Sequence, residues 1–417
     1  MHRPIAVVGL GAATCLGVGM DATWAGLIAG RSGLARRASM DPSRFATDIA
    51  GMVDRFGPGS GSEDPSIVKL EVRSIHLALA AAREAWAGSG LAGVDLPPER
   101  VAVVVGSALG GLDLLEAEAS RQPRRRGHAT DPYLIPGLII NQQAGQVAQQ
   151  LGFRGPSLAP ANACASGGHA VALGALLLRA GEADVAIVGA AESAFTPAVV
   201  NGFATMRALF QPRRDDRAID DPSQSSRPFS VDRSGFVLAE GSAMLVLATE
   251  AVVARWRLNA HAEVAGWSMN TDGRHIVMPD GDRVALAIGG AIDRAGLRPA
   301  DIQYYNAHGT STAVNDRVET AAIRAAFGDH ASGLAVSSIK GAIGHALGAA
   351  SAIEAAVCVR ALVEQQIPPT RNWQADPELD LDYVPEARGA RLDAVASGSL
   401  GFGGTNNALV FRRWTHG

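Results

Sequence analysis

The stretch Ala161-Asn162-Ala163-Cys164-Ala165-Ser166-Gly167-Gly168-His169-Ala170 opens an Ala- and Leu-rich run that continues to Arg179, and that run gives way to the apolar segment Val185–Val188. The order is small-residue turn, helix, strand. Val185-Ala186-Ile187-Val188 has no polar position, so a strand there must be buried on both faces. The same short signature recurs at Ile5–Val8, Val101–Val105, Ala243–Leu247 and Ala408–Phe411. Between these lie helical stretches at Ser74–Trp86, His169–Arg179, Arg283–Ala295 and Ala350–Gln365. Continuous Val/Ile/Ala strands alternating with helices predict an α/β protein whose sheets are covered on both faces.

Composition supports a large folded core. The chain has 417 residues, 47% apolar and 19% charged, and at roughly 150 residues per domain this suggests two large domains or three ordinary ones. Lys and Arg number 37 against 41 Asp and Glu, a net charge of −4, too weak to draw the whole chain to nucleic acid or to a membrane surface. Three dispersed cysteines, Cys15, Cys164 and Cys358, fit neither a disulfide framework nor a zinc site and predict a reducing, cytoplasmic setting. No apolar run is read as approaching the roughly 18 residues of a membrane span. Ile5–Val8 with its Gly-rich sequel reads as a first strand rather than a signal peptide. Gly57–Pro65 and Gln211–Ser226 read as surface loops, and no linker separates independent domains. Gly168-His169-Ala170 returns as Gly344-His345-Ala346, again beside an Ala-rich helix, an echo that hints at two related halves.

Several motifs narrow the chemistry. Gly9-Leu10-Gly11 follows the first strand, but Thr14 stands where a dinucleotide fingerprint needs glycine, so a tight strand-to-helix turn explains the glycines. A phosphate-binding loop with Lys, a His-Glu-x-x-His pair and a Gly-x-Ser-x-Gly elbow are all lacking. Cys164 lies among small residues at a helix start, where backbone dipoles favour thiolate; a buried structural cysteine at a Gly-rich turn satisfies the same local pattern. His308 in Asn306-Ala307-His308-Gly309-Thr310-Ser311-Thr312 and His345 in Lys340-Gly341-Ala342-Ile343-Gly344-His345 share a small-residue context. Either alone is an ordinary core histidine; the two with Cys164 suggest nucleophilic catalysis. Ser399–Asn406 is a Gly-rich loop without a following Lys, suited to a lid or to backbone N–H donors.

These segments together resemble the β-ketoacyl-acyl carrier protein synthases, the elongating condensing enzymes of the thiolase superfamily. The resemblance runs from Ile5 to Phe411. Its elements are Ala163–Gly167, Ala307–Thr312, Asn315-Asp316-x-x-Glu319, Lys340-x-x-x-Gly344-His345 and Gly401-Phe402-Gly403-Gly404-Thr405-Asn406, with a further block at Arg227–Phe229 and Arg233–Gly241. It implies a five-layered αβαβα sandwich of two related βαβαβαββ halves, here expected at residues 1–250 and 251–417. A homodimer is implied as well, or a heterodimer with a chain-length-factor-like subunit.

By resemblance, Cys164 accepts an acyl chain from acyl carrier protein, and no cofactor beyond the carrier's phosphopantetheine takes part. The N–H groups of Cys164 and Phe402 form an oxyanion hole, and His308 and His345 stabilise the enolate from malonyl-carrier protein. Lys340 and Glu319 form a charged pair that orients His308. Thr310, Thr312 and Gly403 border the substrate, Phe402 gates the pocket, and Leu109 matches a position that separates short from long chains. Lys69, Arg73, Arg207 and the cluster Arg124, Arg125 and Arg126 are expected to face the acidic carrier protein. The sequence departs from the family pattern at Ala239, Gly341 and Asn407, which weakens a reading as the housekeeping enzyme and leaves both fatty-acid synthesis and a specialised lipid, polyene or polyketide pathway open. A thiolase is disfavoured because the last loop has no second cysteine. Synthases primed by coenzyme A are disfavoured by His345. A non-catalytic, tunnel-shaping partner subunit is the remaining alternative, and the presence of Cys164 counts against it.

Overall fold

A computed structural model of the chain describes residues 4–54, 72–121, 130–211 and 220–415. Ten strands and six helices carry its architecture. The first eight elements run β1 (Ile5–Thr14), α1 (Arg73–Gly88), β2 (Val101–Gly106), α2 (Gln142–Leu151), β3 (Ser157–Leu158), α3 (Ser166–Ala180), β4 (Val185–Glu192) and β5 (Gly241–Thr249). The next eight repeat the order: β6 (Ala262–Thr271), α4 (Gly281–Arg294), β7 (Tyr304–Asn306), α5 (Ala313–Phe327), β8 (Ala335–Ser337), α6 (Ala350–Glu364), β9 (Ala394–Gly401) and β10 (Thr405–Arg412).

The strands lie in one hydrogen-bonded path, β8-β7-β9-β10-β6-β1-β5-β4-β2-β3, that divides naturally in two. Within each five-strand half, three neighbouring strands are parallel and the last two pairings antiparallel. Among the named strands, the halves are joined through Ala6↔Glu263 and Val7↔Ala262, between β1 and β6. The two sheets therefore meet at one edge and stack over the rest of their area.

Three apolar layers fill the spaces. In β2, Val101, Val103 and Val105 pack outward with α1 and α2, while Ala102 and Val104 face the middle layer with α3 and α6. In the second half, Ile288, Ile292, Ile323 and Phe327 of α4 and α5 cover the outer face of β7, β9 and β10. The result is the αβαβα sandwich that the resemblance implied. The window Ala163–Ala180 passes the length and composition test for a membrane span, contrary to the sequence reading, but 67% of it is buried inside the fold. It is the central helix α3, and its apolarity comes from packing between two sheets.

The structural repeat corrects the register of the sequence echo. A one-turn 3₁₀ helix, Ala163–Ala165, leads into α3, and its counterpart Leu347–Ala349 leads into α6. The constant shift is thus from 163 to 347 and from 166 to 350, which aligns Cys164 with Gly348. Gly168-His169-Ala170 lies within α3, whereas Gly344-His345-Ala346 precedes the second 3₁₀ turn. The Gly-His-Ala match is out of register with the repeat it hinted at.

Close approach at the centre depends on missing side chains. A Cβ on Gly167 would sit 2.5 Å from the Ala352 nitrogen of α6, so the two central helices touch through backbone. A Cβ on Gly341 would meet the Arg371 carbonyl at 2.6 Å, so the backbone there leaves no room for a side chain. Gly167→Ala is expected to cost about 1–3 kcal/mol through overpacking. Gly145→Ala in α2, where a Cβ has nothing within 4 Å, should be neutral or stabilising by up to about 1 kcal/mol. Thermal melts of the two variants side by side check this contrast; equal stability would contradict the close helix contact.

Candidate active site

Cys164 is presented by a strained and well-tied turn. Ala163 holds φ 48°, a left-handed conformation costly for a residue with a Cβ. The turn is fixed from several sides. Ser166 Oγ donates to the Ala163 carbonyl at 2.7 Å and accepts the Asn162 N–H at 2.9 Å. Ser351 Oγ, from α6, donates to the Cys164 carbonyl at 3.1 Å. Thr405 Oγ1 donates to the Asn162 carbonyl at 3.1 Å. Among the described residues, neither the Cys164 nor the Phe402 N–H donates to another residue.

The second half supplies the histidines. His308 follows β7, and its backbone is held at both ends: its N–H donates to Glu319 Oε1 at 2.7 Å, and its carbonyl accepts from Lys340 Nζ at 2.6 Å. Glu319 also accepts the Gly309 N–H at 2.7 Å. His345 follows Gly344, whose φ of 74° suits glycine, and pairs with the segment Val237–Ala239 through its own N–H and carbonyl. The imidazoles cross nearly at right angles, with ring centroids 5.4 Å apart. One donor atom each from Cys164, His308 and His345 lies within 4.8 Å of the others, and all three residues are buried. Both Nδ1 atoms are buried without a partner.

The expected Lys340–Glu319 pair is corrected here. Lys340 Nζ makes its ion pair with Glu354 of α6, a contact in which both side chains are 1% exposed. Glu319 acts separately, on the backbone N–H groups of His308 and Gly309. The sequence did carry a signal for Glu354: it is the only charged residue in the run Ala349–Val359, and a charge on a wholly buried helix face needs a partner.

Burial dominates the titration of the site. It raises the Cys164 thiol to about 12, against the opposing pull of the Lys340 charge, so the resting group is a thiol and not the thiolate expected from the helix start. Burial, followed by the Lys340 charge, holds His308 and His345 well below the usual histidine range, so both are neutral and each can offer one N–H. Burial also raises Glu354 to about 7 and Glu319 to about 8. A sulfur and two imidazoles at this spacing are ligand types for zinc. Binding there would require the thiolate, which burial opposes.

The three groups open on a cavity of about 250 Å³. Thr310, Thr312, Phe402, Phe203, Phe236 and Arg207 contribute to its wall or mouth. Thr310 and Thr312 share a hydroxyl hydrogen bond of 2.8 Å. Phe402 faces Phe203 with centroids 6.3 Å apart. Gly403 turns away, its N–H donating to the Ile276 carbonyl at 2.8 Å, so it borders the loop rather than the cavity. Leu109 packs behind the cavity in a cluster with Phe195, Phe203 and Leu347.

The expected docking residues divide. Arg207 is exposed at the mouth beside Met206. Arg73 is instead committed to the buried Glu240 through a two-point pair, with Nη2 at 2.7 Å from Oε1 and Nε at 2.7 Å from Oε2. That fixes α1 to the segment before β5. Lys69, Arg124, Arg125 and Arg126 lie outside the described residues.

The chain matches the "Beta-ketoacyl synthase, N-terminal domain" family over residues 2–252 and the "Beta-ketoacyl synthase, C-terminal domain" family over 261–374. It is 37% identical over 415 residues to the 3-oxoacyl-[acyl-carrier-protein] synthase 2 of Coxiella burnetii, covering 99% of each chain. Among solved structures, the ishigamide ketosynthase/chain length factor superposes with a TM-score of 0.91 at 31% identity, over 99% of this chain and 100% of that one. A type II polyketide synthase acyl-carrier protein in complex with its ketosynthase bound to the hexaketide gives 0.90 at 28% identity, over 99% and 100%.

The neutral histidines have a measurable consequence. In the unfolded chain they take up protons near 6.5, while the folded state resists protonation until well below that value. Between those limits the unfolded state binds more protons, so stability falls as pH falls below about 6.5. Each histidine contributes about 1.4 kcal/mol per pH unit in that window. Unfolding free energies of wild type and His308→Asn/His345→Asn, compared from pH 7 to 5, should show the wild type losing stability more steeply. Parallel curves would contradict the buried neutral state.

Proposed function

The chain belongs to the β-ketoacyl synthase family, and we propose that Cys164, His308 and His345 carry out its decarboxylative condensation of acyl and malonyl units held on acyl carrier protein. The convergence of one sulfur and two neutral imidazoles within 4.8 Å, on a cavity, is the observation that carries this assignment of roles.

The reaction follows from the groups present. As the Cys164 sulfur attacks the carrier thioester carbonyl, a neutral imidazole accepts the thiol proton and returns it to the departing carrier thiolate. In this reading the N–H groups of Cys164 and Phe402 hold the oxyanion of that addition. Malonyl-carrier protein then loses carbon dioxide. The electron pair of the broken C–C bond moves into the thioester, and the enolate oxygen is held by an N–H from each of His308 and His345. The enolate carbon attacks the acyl-Cys164 carbonyl, a new C–C bond forms, and the Cys164 sulfur leaves and takes up one proton from water. Neutral imidazoles suit this work, because each presents a donor without adding a buried charge.

Glu319 and Lys340 position His308 through its N–H and its carbonyl, and Glu354 neutralises Lys340. No cofactor enters these steps. The cysteines are all free thiols, which supports a cytoplasmic setting. We read residues 1–250 and 251–417 as the two halves. Leu158 on the edge strand β3 is an exposed apolar side chain, as are Tyr133, Ile135 and Ile139 in the segment before α2, and we read these as part of the subunit contact, with a second copy or a chain-length-factor-like partner.

Two experiments test the assignment. Intact-protein mass spectrometry with acyl-carrier protein should show the wild type gaining one acyl mass and Cys164→Ala gaining none. His345→Ala should acylate yet slow malonyl decarboxylation by about 10²–10³-fold, the usual loss for one oxyanion donor. A folded wild type that never acylates overturns the role of Cys164.

For carrier docking, Arg207→Glu should raise KM for carrier-bound substrate about five- to tenfold, the equivalent of about 1 kcal/mol for an exposed charge contact. A small thioester substrate should be unaffected. Equal effects on both substrates would remove Arg207 from the docking surface.

A further inference from the structure

Glu192 is a fully buried carboxylate that the condensation as described does not use. It ends β4, the strand Val185-Ala186-Ile187-Val188-Gly189-Ala190-Ala191-Glu192, all eight positions of which are buried. Its oxygens lie against two separate pieces of chain. From the loop after β2, the Ala108 N–H donates to Oε2 at 2.6 Å and Ser107 Oγ donates to Oε1 at 3.0 Å, with the Leu109 N–H also directed at the carboxylate. The turn before α6 packs directly on the carboxylate, for a Cβ on Gly348 would lie 2.8 Å from Oε2. Ser107 Oγ in turn accepts the Gly110 N–H at 3.0 Å, which closes the loop on itself.

These two pieces belong to one packed apolar cluster. Leu347 lines the cavity beside Cys164, and Leu109 belongs with Ala108, Phe195 and Phe203 to the apolar cluster behind it. An acyl chain bound to the Cys164 sulfur has this cluster as the apolar volume contiguous with the cavity. The two segments touch at Gly348, where a Cβ would lie 2.5 Å from the Ala108 nitrogen.

We propose that Glu192 is a positioning residue that sets the width of the acyl pocket by fastening the Ser107–Leu109 loop to the Leu347–Gly348 turn. The proposal rests on the reading of Cys164 as the acyl carrier. A carboxyl group suits the task because its two oxygens accept from separate donors, Ser107 Oγ at one and the Ala108 N–H at the other. Gly348 suits it because any side chain wedges the two segments apart. The repeat gives the arrangement its logic: Gly348 occupies in the second half the place that Cys164 occupies in the first, so the turn that presents the nucleophile in one half braces the pocket in the other.

The test is the rate of Cys164 acylation, read by intact mass, over a series of straight-chain acyl-carrier substrates of increasing length. Glu192→Leu removes both acceptors at similar volume, and Gly348→Ala inserts a methyl between the two segments. Both variants should accept chains longer than the wild-type preference, with the rate for the longer chain relative to the preferred one rising about tenfold, the scale on which a pocket distinguishes a methylene. Ser107→Ala removes a single donor and should move the profile in the same direction by less. A profile unchanged in every folded variant overturns the clamp. So does a common fall at all lengths accompanied by an equal fall in malonyl decarboxylation, which marks a merely structural role. No acylation of the wild type at any length overturns the acyl role of Cys164 and the clamp with it.

Discussion

The buried ion pair between Lys340 and Glu354 is the contact on which the active site depends. Both side chains are 1% exposed, so neither charge has water to fall back on. Removing one partner of such a pair leaves an uncompensated charge in the interior, a loss of about 3–5 kcal/mol. The pair ties together separate elements: Lys340 follows β8, Glu354 lies 14 positions on in α6, and the same ammonium reaches back 32 positions to the His308 carbonyl after β7. One cation therefore registers three elements of the second half. Its field also disfavours a proton on either histidine and favours negative charge on Cys164.

The two halves share a fold but divide the labour. Each offers a 3₁₀ turn leading into a central helix, and each turn contains a non-glycine residue in a left-handed conformation, Ala163 at 48° and Leu347 at 45°. The strain is thus inherited by both halves, while only the first carries a sulfur at the next position. The second contributes its histidines from loops after β7 and β8, which the stacking of the sheets brings over the Cys164 turn. Gly167 against Ala352 shows how tight that stacking is.

Much of this was legible in the sequence because the elements are locally consistent. Val101–Val105 and Val185–Val188 could only be strands buried on both faces, and His169–Arg179 and Ala350–Gln365 could only be buried helices. Cys164, His308 and His345 stood out because glycines surround them. Other features were hidden because they arise from contact at long range. The Gly-His-Ala echo matched letters in the wrong register, since a sequence match takes no account of where the helix begins. Arg73 read as a free basic residue, although its partner Glu240 is 167 positions away. The Lys340–Glu319 pairing failed because both residues grip His308 from opposite ends without meeting.

Acidic residues explain how so much backbone can be buried without strands or helices to satisfy it. Glu319 takes the N–H groups of His308 and Gly309, Asp316 takes those of Phe229 and Thr310, and Glu240 takes that of Val53 together with Arg73. In each case a carboxylate at a fixed place on a helix or beside a strand replaces the ladder that an irregular segment lacks. The loops that carry the chemistry are held as firmly as the sheets beneath them. The thiol and imidazoles are then free of structural duty: their reactive atoms face the cavity, and the two unpartnered Nδ1 atoms mark how little of their hydrogen-bonding capacity the fold consumes. A site built this way keeps its reacting groups neutral at rest and leaves the orienting work to the residues behind them.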